Sequence, residues 1–465
     1  MTEQLPIVVI GGGISGLVAA HALSALLPDV EVIVLEATAQ VGGKLALAEV
    51  AGVTIDVGAE AMLARRPEGL QLLSELGLDS EVLSPTTTSA AVWAGGALHP
   101  LPARTMLGIP SDVSSVADSG LLGAHSLAGL SAEPELAPLR PLTGDIAVGA
   151  LVRSRLGDEV VDRMVEPLLG GVYAGRADEL SLRATMPALA AALGQGGSLV
   201  GAAGAALRAG ARMPAAGPVF ASLRRGLGNL PRVLASHADF TVRYGTTVRA
   251  VRRTPVGFAL ECGAVPDAEL IEAVAVVIAT PAAKAARLLG SVAPAAATEL
   301  AGIDTASVAI TTLAFRDITL PAGSGLLVGA REGLAVKGVT LSTQKWPLDA
   351  GGLTLLRASL GRAGEPQLLQ REDPELIALV RRDLGTLYGL RAEPVDALVT
   401  RWGGGLPQYA VGHVERVLRL RAAVAAVPGL AVCGASYDGV GIPACIASAR
   451  SAAAQVHASL AQRGE

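Results

Sequence analysis

Residues 11–16 read Gly-Gly-Gly-Ile-Ser-Gly, a GxGxxG element, and its surroundings constrain the fold more than any other feature. The run before it, residues 5–10, is apolar and β-branched and predicts a buried parallel strand. After it, Ile14, Leu17, Val18 and Leu26 fall on one helical face, and VEVIVL at 30–35 predicts the next strand. The opening is therefore a βαβ unit. Gly11 permits the tight turn, Gly13 lets backbone approach a pyrophosphate, and Gly16 allows close helix–strand packing. The helix N-terminus offers free N–H groups and partial positive charge to phosphates. Glu36 follows Gly16 by about 20 residues, where a carboxylate accepts hydrogen bonds from a ribose and repels an added 2′-phosphate. The combination predicts dinucleotide binding and disfavours NADP.

Length and composition bound the rest. At 465 residues the chain has room for about three domains. Hydrophobic residues at 51% against 17% charged exclude a disordered chain. Lys plus Arg number 37 against 42 Asp plus Glu, a net charge of −5, which argues against a nucleic-acid partner. Cys262, Cys433 and Cys445 have no CxxC spacing, so neither a disulfide framework nor a metal site is expected, and a reducing cytoplasm fits. Two uncharged runs, Gln4 to Pro28 and Ala184 to Leu207, are broken by glycines or by Pro187 and Gln195, so no integral membrane segment is expected.

Along the chain, a stretch rich in Pro, Gly and Ser runs from about Ser84 to Gly144, and helical patterns follow to about Arg212. Short alternating strands occupy 240–280, mixed strands and helices 303–400, and GLAVCGA at 429–435 is another buried strand. A helix of small residues closes the sequence, and no repeat of fixed period occurs.

Further segments carry a family resemblance. Val41-Gly42-Gly43-Lys44 resembles the segment that extends the fingerprint in FAD-dependent amine oxidases and their relatives. Asp56-Val57-Gly58-Ala59-Glu60, the run Gly170 to Gly175 (GGVYAG), Lys345-Trp346-Pro347, Arg401-Trp402, Leu406-Pro407-Gln408-Tyr409 with Gly412-His413, and Gly434 to Pro443 follow in order. Together they resemble the HemY-type porphyrinogen oxidases over nearly the whole chain. The fold implied is α/β: an FAD-binding Rossmann-like (GR2-type) domain with an inserted α+β substrate domain and a helical domain. The resemblance implies an FAD domain from 1–62, 221–283 and 425–465, a substrate domain from 63–95, 200–220 and 284–424, and a helical domain at 96–199. Carried over by position, Gly11, Gly12, Gly13, Ile14, Ser15, Gly16, Glu36, Ala37, Gly42, Gly43 and Lys44 would bind FAD. So would Gly58, Ala59, Glu60, Ala61, Val248 through its backbone, Trp402, Gly434, Val440, Gly441 and Ile442.

The chemistry implied is stepwise oxidation of a porphyrinogen: a hydride leaves a meso carbon for flavin N5, pyrrole protons are lost, and molecular oxygen reoxidises the flavin to give hydrogen peroxide. No side chain is assigned a catalytic step, because the flavin carries it and the protein supplies orientation and electrostatics. His21, His99, His125, His237 and His413 are read as structural. The substrate, an apolar macrocycle rimmed by carboxylates, calls for a mostly apolar pocket with a few basic groups at its edge. Arg65 and Arg66 are candidates for a propionate, with a solvated surface pair as the alternative; Lys337, Lys345 and Tyr173 are further candidates, Tyr173 also fitting a core aromatic. Lys44 stands where eukaryotic relatives carry Arg, and Pro85-Thr86-Thr87 contains no Arg to anchor a propionate. These departures favour coproporphyrinogen III, oxidised to coproporphyrin III, over protoporphyrinogen IX. A flavin amine oxidase or desaturase, and a carrier resembling GDP-dissociation inhibitors, are the alternatives. The partners implied are the porphyrinogen, oxygen and a ferrochelatase receiving the product, with at most weak peripheral membrane contact.

Overall fold

A computed structural model describes residues 4–211, 218–237 and 239–464. Residues 1–3, 212–217, 238 and 465, which the expected domain division includes, lie outside the described residues. In chain order the elements that frame the site begin with β1 (Ile7–Ile10), α1 (Ile14–Leu26), β2 (Val32–Leu35), β3 (Ala91–Ala94) and β4 (Ala97–Pro100). There follow α2 (Glu166–Tyr173), α3 (Leu199–Ala211), β5 (Thr241–Arg243), β6 (Ala275–Ile278), β7 (Thr305–Phe315), β8 (Gly325–Val328) and β9 (Val336–Leu341). The last are β10 (Thr354–Leu360), α4 (Asp373–Tyr388), β11 (Asp396–Pro407), α5 (His413–Ala425), β12 (Leu430–Val432) and α6 (Ile442–Gly464).

β1 is the centre of a parallel sheet ordered β5-β2-β1-β6-β12, with Ile7 opposite both Val32 and Ala275. Side chains alternate across a strand, and this sheet is covered on both faces, which is why four consecutive apolar residues suit it. Ile7 and Val9 pack with Leu17 and Leu23 of α1 and with Ala449, Ala453 and Val456 of α6. Val8 and Ile10 pack on the other side, with Phe258 and Leu260 of a three-stranded antiparallel layer and Leu420 of α5. Ala19 and Ala20 on α1 share a core with the alanines of α6, so the two helices run close together beneath the sheet.

A second sheet is ordered β11-β7-β10-β9-β8-β3-β4. Leu356, Ala358 and Leu360 of β10 point to one face, where Leu376, Val380 and Leu384 of α4 cover them. α4 is held at its start by a capping box between Glu372 and Glu375 and stopped by left-handed Gly389. The alternate residue Arg357 faces the other way, where it meets Glu60.

Two features depart from the sequence reading. The stretch from Ser84 to Gly144 supplies the hairpin β3–β4, so the expected boundary at 95/96 falls inside a hairpin. α3, expected in the substrate domain, shares a core with Val148, Leu151, Met164, Leu169 and Leu189 of the helical region. Period-3.6 burial of Leu199, Val200, Ala202 and Ala203 drives that packing, and a composition shift does not register it. Among the described residues no helix is long and apolar enough to cross a membrane.

Candidate functional site

The glycine turn closes as its sequence demands. Gly11 N–H donates to Leu35 O at 2.9 Å, tying the turn to β2. A Cβ at Gly16 would lie 1.8 Å from Gly11 O, so only glycine fits where α1 enters. Gly13 caps α1 without a side-chain hydrogen bond, and no acidic residue occupies the first turn. A Cβ built on Gly13 meets nothing within 4 Å, whereas those on Gly12 and Gly16 meet neighbours at 3.0 and 1.8 Å. The N-terminus of a 13-residue helix thus points its N–H groups into an open cradle. That is the space and charge a pyrophosphate requires. Ile14 and Ser15 are buried behind it.

Glu36 sits at the cradle's edge, half-buried. Its Oε2 accepts Gly12 N–H at 2.7 Å, and its Oε1 accepts both the N–H and the hydroxyl of Thr38 at 2.8 Å. A carboxylate with about four acceptor positions keeps capacity for a ribose. Ala37 is exposed beside it, and Thr246 N–H donates to Glu36 O at 2.8 Å, which brings Val248 to the same edge.

The second glycine pair packs backbone to backbone on the first. Gly42 N–H donates to Gly12 O at 2.8 Å, and a Cβ on Gly43 would stand 3.5 Å from Gly13 Cα. Lys44 follows, exposed, and its Nζ donates to Gly405 O at 2.8 Å. The protein packed around its ammonium lowers its pKa by desolvation. Ala59 N–H donates to Lys44 O at 3.0 Å, and Trp402 Nε1 donates to Val57 O at 3.1 Å. A Cβ on Gly58 would approach Lys44 O to 1.9 Å. From the far side, Gly434 comes up to Ser15, and Val440 and Gly441 lead into buried Ile442 at the start of α6. The fingerprint, the Gly42–Lys44 turn, the 57–60 loop, Trp402 and the 434–442 loop therefore surround one crevice.

Glu60 marks where this crevice meets the second sheet, next to half-buried Ala61. Its carboxylate receives Lys345 Nζ at 2.7 Å and Arg357 at 2.5 Å, and Arg357 also bonds Gly58 O. Burial by itself would raise the Glu60 pKa, but the two cations override it and hold the carboxyl at about 2. Arg357 was missed in the sequence; its signal is a lone charge in the apolar run Thr354–Leu360.

The substrate candidates divide into three groups. Lys345 is engaged by Glu60 and stands 5.8 Å from the ring centre of Phe220. Lys337 lies against α2 and Tyr173 ends it: Lys337 Nζ, buried, reaches Gly170 O at 3.4 Å, and Tyr173 packs 5.6 Å from Tyr409. Burial, then the neighbouring Arg362 charge, pushes the Lys337 ammonium down to about 7, and burial pushes the Tyr173 phenol up to about 12. Arg65 is exposed, while Arg66 pairs with Glu68 at 2.5 Å.

Comparison with known proteins identifies the family. The family described as flavin containing amine oxidoreductase matches residues 14–457. A coproporphyrinogen III oxidase from Mycobacterium leprae is 39% identical over 462 residues, 98% of each chain. A protoporphyrinogen oxidase from Bos taurus is 32% identical, covering 97% of this chain and 98% of that one. A crystal structure from Exiguobacterium sp. 255-15, titled for a protoporphyrinogen oxidase, superposes with a TM-score of 0.87 at 32% identity over 98% of this chain and 100% of that chain. With likeness of that extent and identity, the chain belongs to the flavin containing amine oxidoreductases, on the branch of the porphyrinogen oxidases.

Proposed function

We propose that this flavin-dependent oxidoreductase holds FAD and oxidises coproporphyrinogen III to coproporphyrin III in the cytoplasm, with oxygen as acceptor and hydrogen peroxide released. The observation that carries the reading is the open, uncapped N-terminus of α1 at Gly13, facing the Gly42–Gly43 turn inside a chain that matches coproporphyrinogen III oxidases end to end. In this reading Gly11 to Gly16 and Gly42 to Lys44 receive the pyrophosphate, Glu36 and the Val248 backbone hold the adenosine end, and Gly58 to Ala61, Trp402 and Gly434 to Ile442 flank the ring. Segments 1–62, 221–283 and 425–465 then form the FAD domain, and the remainder supplies the substrate and helical portions.

The bound flavin supplies hydride acceptance, and this chain's residues bind and orient. The Glu60–Lys345–Arg357 cluster fixes the 58–60 loop and leaves one net positive charge beside it. That charge favours an anionic macrocycle. Arg65 reaches for a propionate from the exposed side, and within the fold Tyr173 ends α2 with Lys337 against it.

The reading is tested by supplying coproporphyrinogen III, protoporphyrinogen IX and simple amines to the flavin-loaded protein in air. Porphyrin fluorescence should rise above the spontaneous rate, fastest with the first, with peroxide formed in step. Turnover of amines alone would overturn the assignment. A purified protein that releases no flavin on denaturation would point instead to a carrier.

A further inference from the structure

The buried Tyr409 is used by none of the roles above, yet its hydroxyl makes two hydrogen bonds to one loop. It donates to Ala435 O at 2.6 Å and accepts Gly439 N–H at 2.8 Å. Its ring stacks on His413 at 3.9 Å with 16° between planes, and His413 Nε2 donates to Tyr437 O at 3.2 Å. Two adjacent side chains thus fix main-chain groups at 435, 437 and 439, alternate residues of the loop that starts against Ser15 and ends at α6. On its other side Tyr409 meets Tyr173, the last residue of α2, while Gln408 Nε2 donates to Tyr173 O at 2.8 Å. Burial raises the Tyr409 phenol far above neutrality, so the hydroxyl keeps its proton and both bonds coexist.

We propose that Tyr409 is a positioning residue: with His413 stacked upon it, its hydroxyl sets the shape of the 435–439 loop against the flavin and links that shape to α2 on the substrate side. The inference rests on the flavin placement proposed above. Reaction geometry tolerates little error, and a contact misplaced by about 1 Å costs on the order of a hundredfold in rate. A loop held at three backbone points is one way to meet that tolerance.

The test uses Tyr409→Phe, which keeps the ring and removes only the hydroxyl, and His413→Gln, which keeps a donor and removes the stack. Each apoprotein is titrated with FAD, and the loaded form is examined by visible circular dichroism and by kcat and KM with coproporphyrinogen III. For Tyr409→Phe the FAD dissociation constant should rise about tenfold, the size expected for lost hydrogen bonds. At full flavin occupancy kcat should fall about tenfold with KM within twofold, and the flavin dichroism should change; His413→Gln should show the same changes, smaller. Unaltered flavin affinity and dichroism in a folded variant would overturn the proposal, and so would a loss confined to thermal stability. Should Tyr409→Phe not fold, His413→Gln decides by the same readouts. A wild-type protein that takes up no flavin would instead overturn the flavin reading itself.

Discussion

Glu60 and Arg357, 297 residues apart in sequence, meet at 2.5 Å and join the 57–60 loop to the middle of the second sheet. Arg357 is buried and the Glu60 side chain is nearly so, and Lys345 completes the cluster from the segment after β9. Removing the carboxylate leaves two cations in low dielectric without their counterion. Glu60→Gln should therefore destabilise the fold by about 3–5 kcal/mol at pH 7, the usual cost of breaking a buried pair from one side. The folded-state pKa of about 2 lies below the ordinary 4.5, so this stabilisation is complete above about 4.5 and fades as pH falls towards 2. Denaturant titrations of wild type and variant should converge across that window; a constant gap down to pH 2 would contradict the ion pair.

The cradle at Gly13 and the contact at Gly16 predict opposite behaviour for two similar substitutions. Gly13 has an ordinary φ of −74° and open space ahead of it, so Gly13→Asp should fold with the melting temperature of flavin-free wild type. It should nevertheless lose flavin, because a carboxylate would face the pyrophosphate. Gly16→Ala would press a methyl against Gly11 O and should fail to accumulate as folded protein. Flavin absorbance per folded molecule distinguishes the two, and full occupancy in Gly13→Asp would refute the placement.

Lys337 gives a pH slope of the same sign as Glu60 in a higher window, but there the charged form is a cost and not a gain. Its folded-state pKa is about 7 against an ordinary 10.5, so folding releases a proton between those values and stability rises with pH across that range. Below about 7 the buried ammonium is a standing cost. Lys337→Met should therefore raise the melting temperature, and by more at pH 6 than at pH 9. Equal gains at both pH values would mean that the amine is not desolvated as its position beside Arg362 and Gly170 O requires.

Arg65 and Arg66 flank one another but differ in availability. Arg66 is taken by Glu68, and Arg65 is exposed. Arg65→Ala should raise KM for coproporphyrinogen III about tenfold with kcat nearly unchanged, the pattern of a lost charge-assisted contact made equally in ground and transition states. Arg66→Ala should change KM by less than twofold. Steady-state kinetics at one ionic strength decides, and equal effects would mean that the Glu68 pairing does not persist in solution.

What could be read in advance follows the range of the interactions involved. The first sheet and its glycine turn are specified within about 30 residues, where alternating burial and a helix start leave marks in order. The approach of Gly42 to Gly12 and of Gly58 to Lys44 could be anticipated only as motifs. Nothing local tells that Trp402 donates to Val57 O across 345 positions, or that Arg357 bonds Gly58 O. The hairpin at Ala91–Ala94 and Ala97–Pro100 was hidden because its stability comes from β8 alongside it, far along the chain. His413 was read as structural, and its contacts show what it supports: the carbonyl of Tyr437 and the face of Tyr409.

β1 has as neighbours β2, made almost at once, and β6, which begins at Ala275, while β12 beyond it begins only at Leu430. At ribosomal speeds of about 5–20 residues per second, the first strand waits on the order of tens of seconds for its second partner. During that interval its amides and apolar flank stay exposed to chaperones and to other nascent chains. Premature termination anywhere before the final helix would release a polypeptide whose opening segment is correct yet unable to close around its prosthetic group.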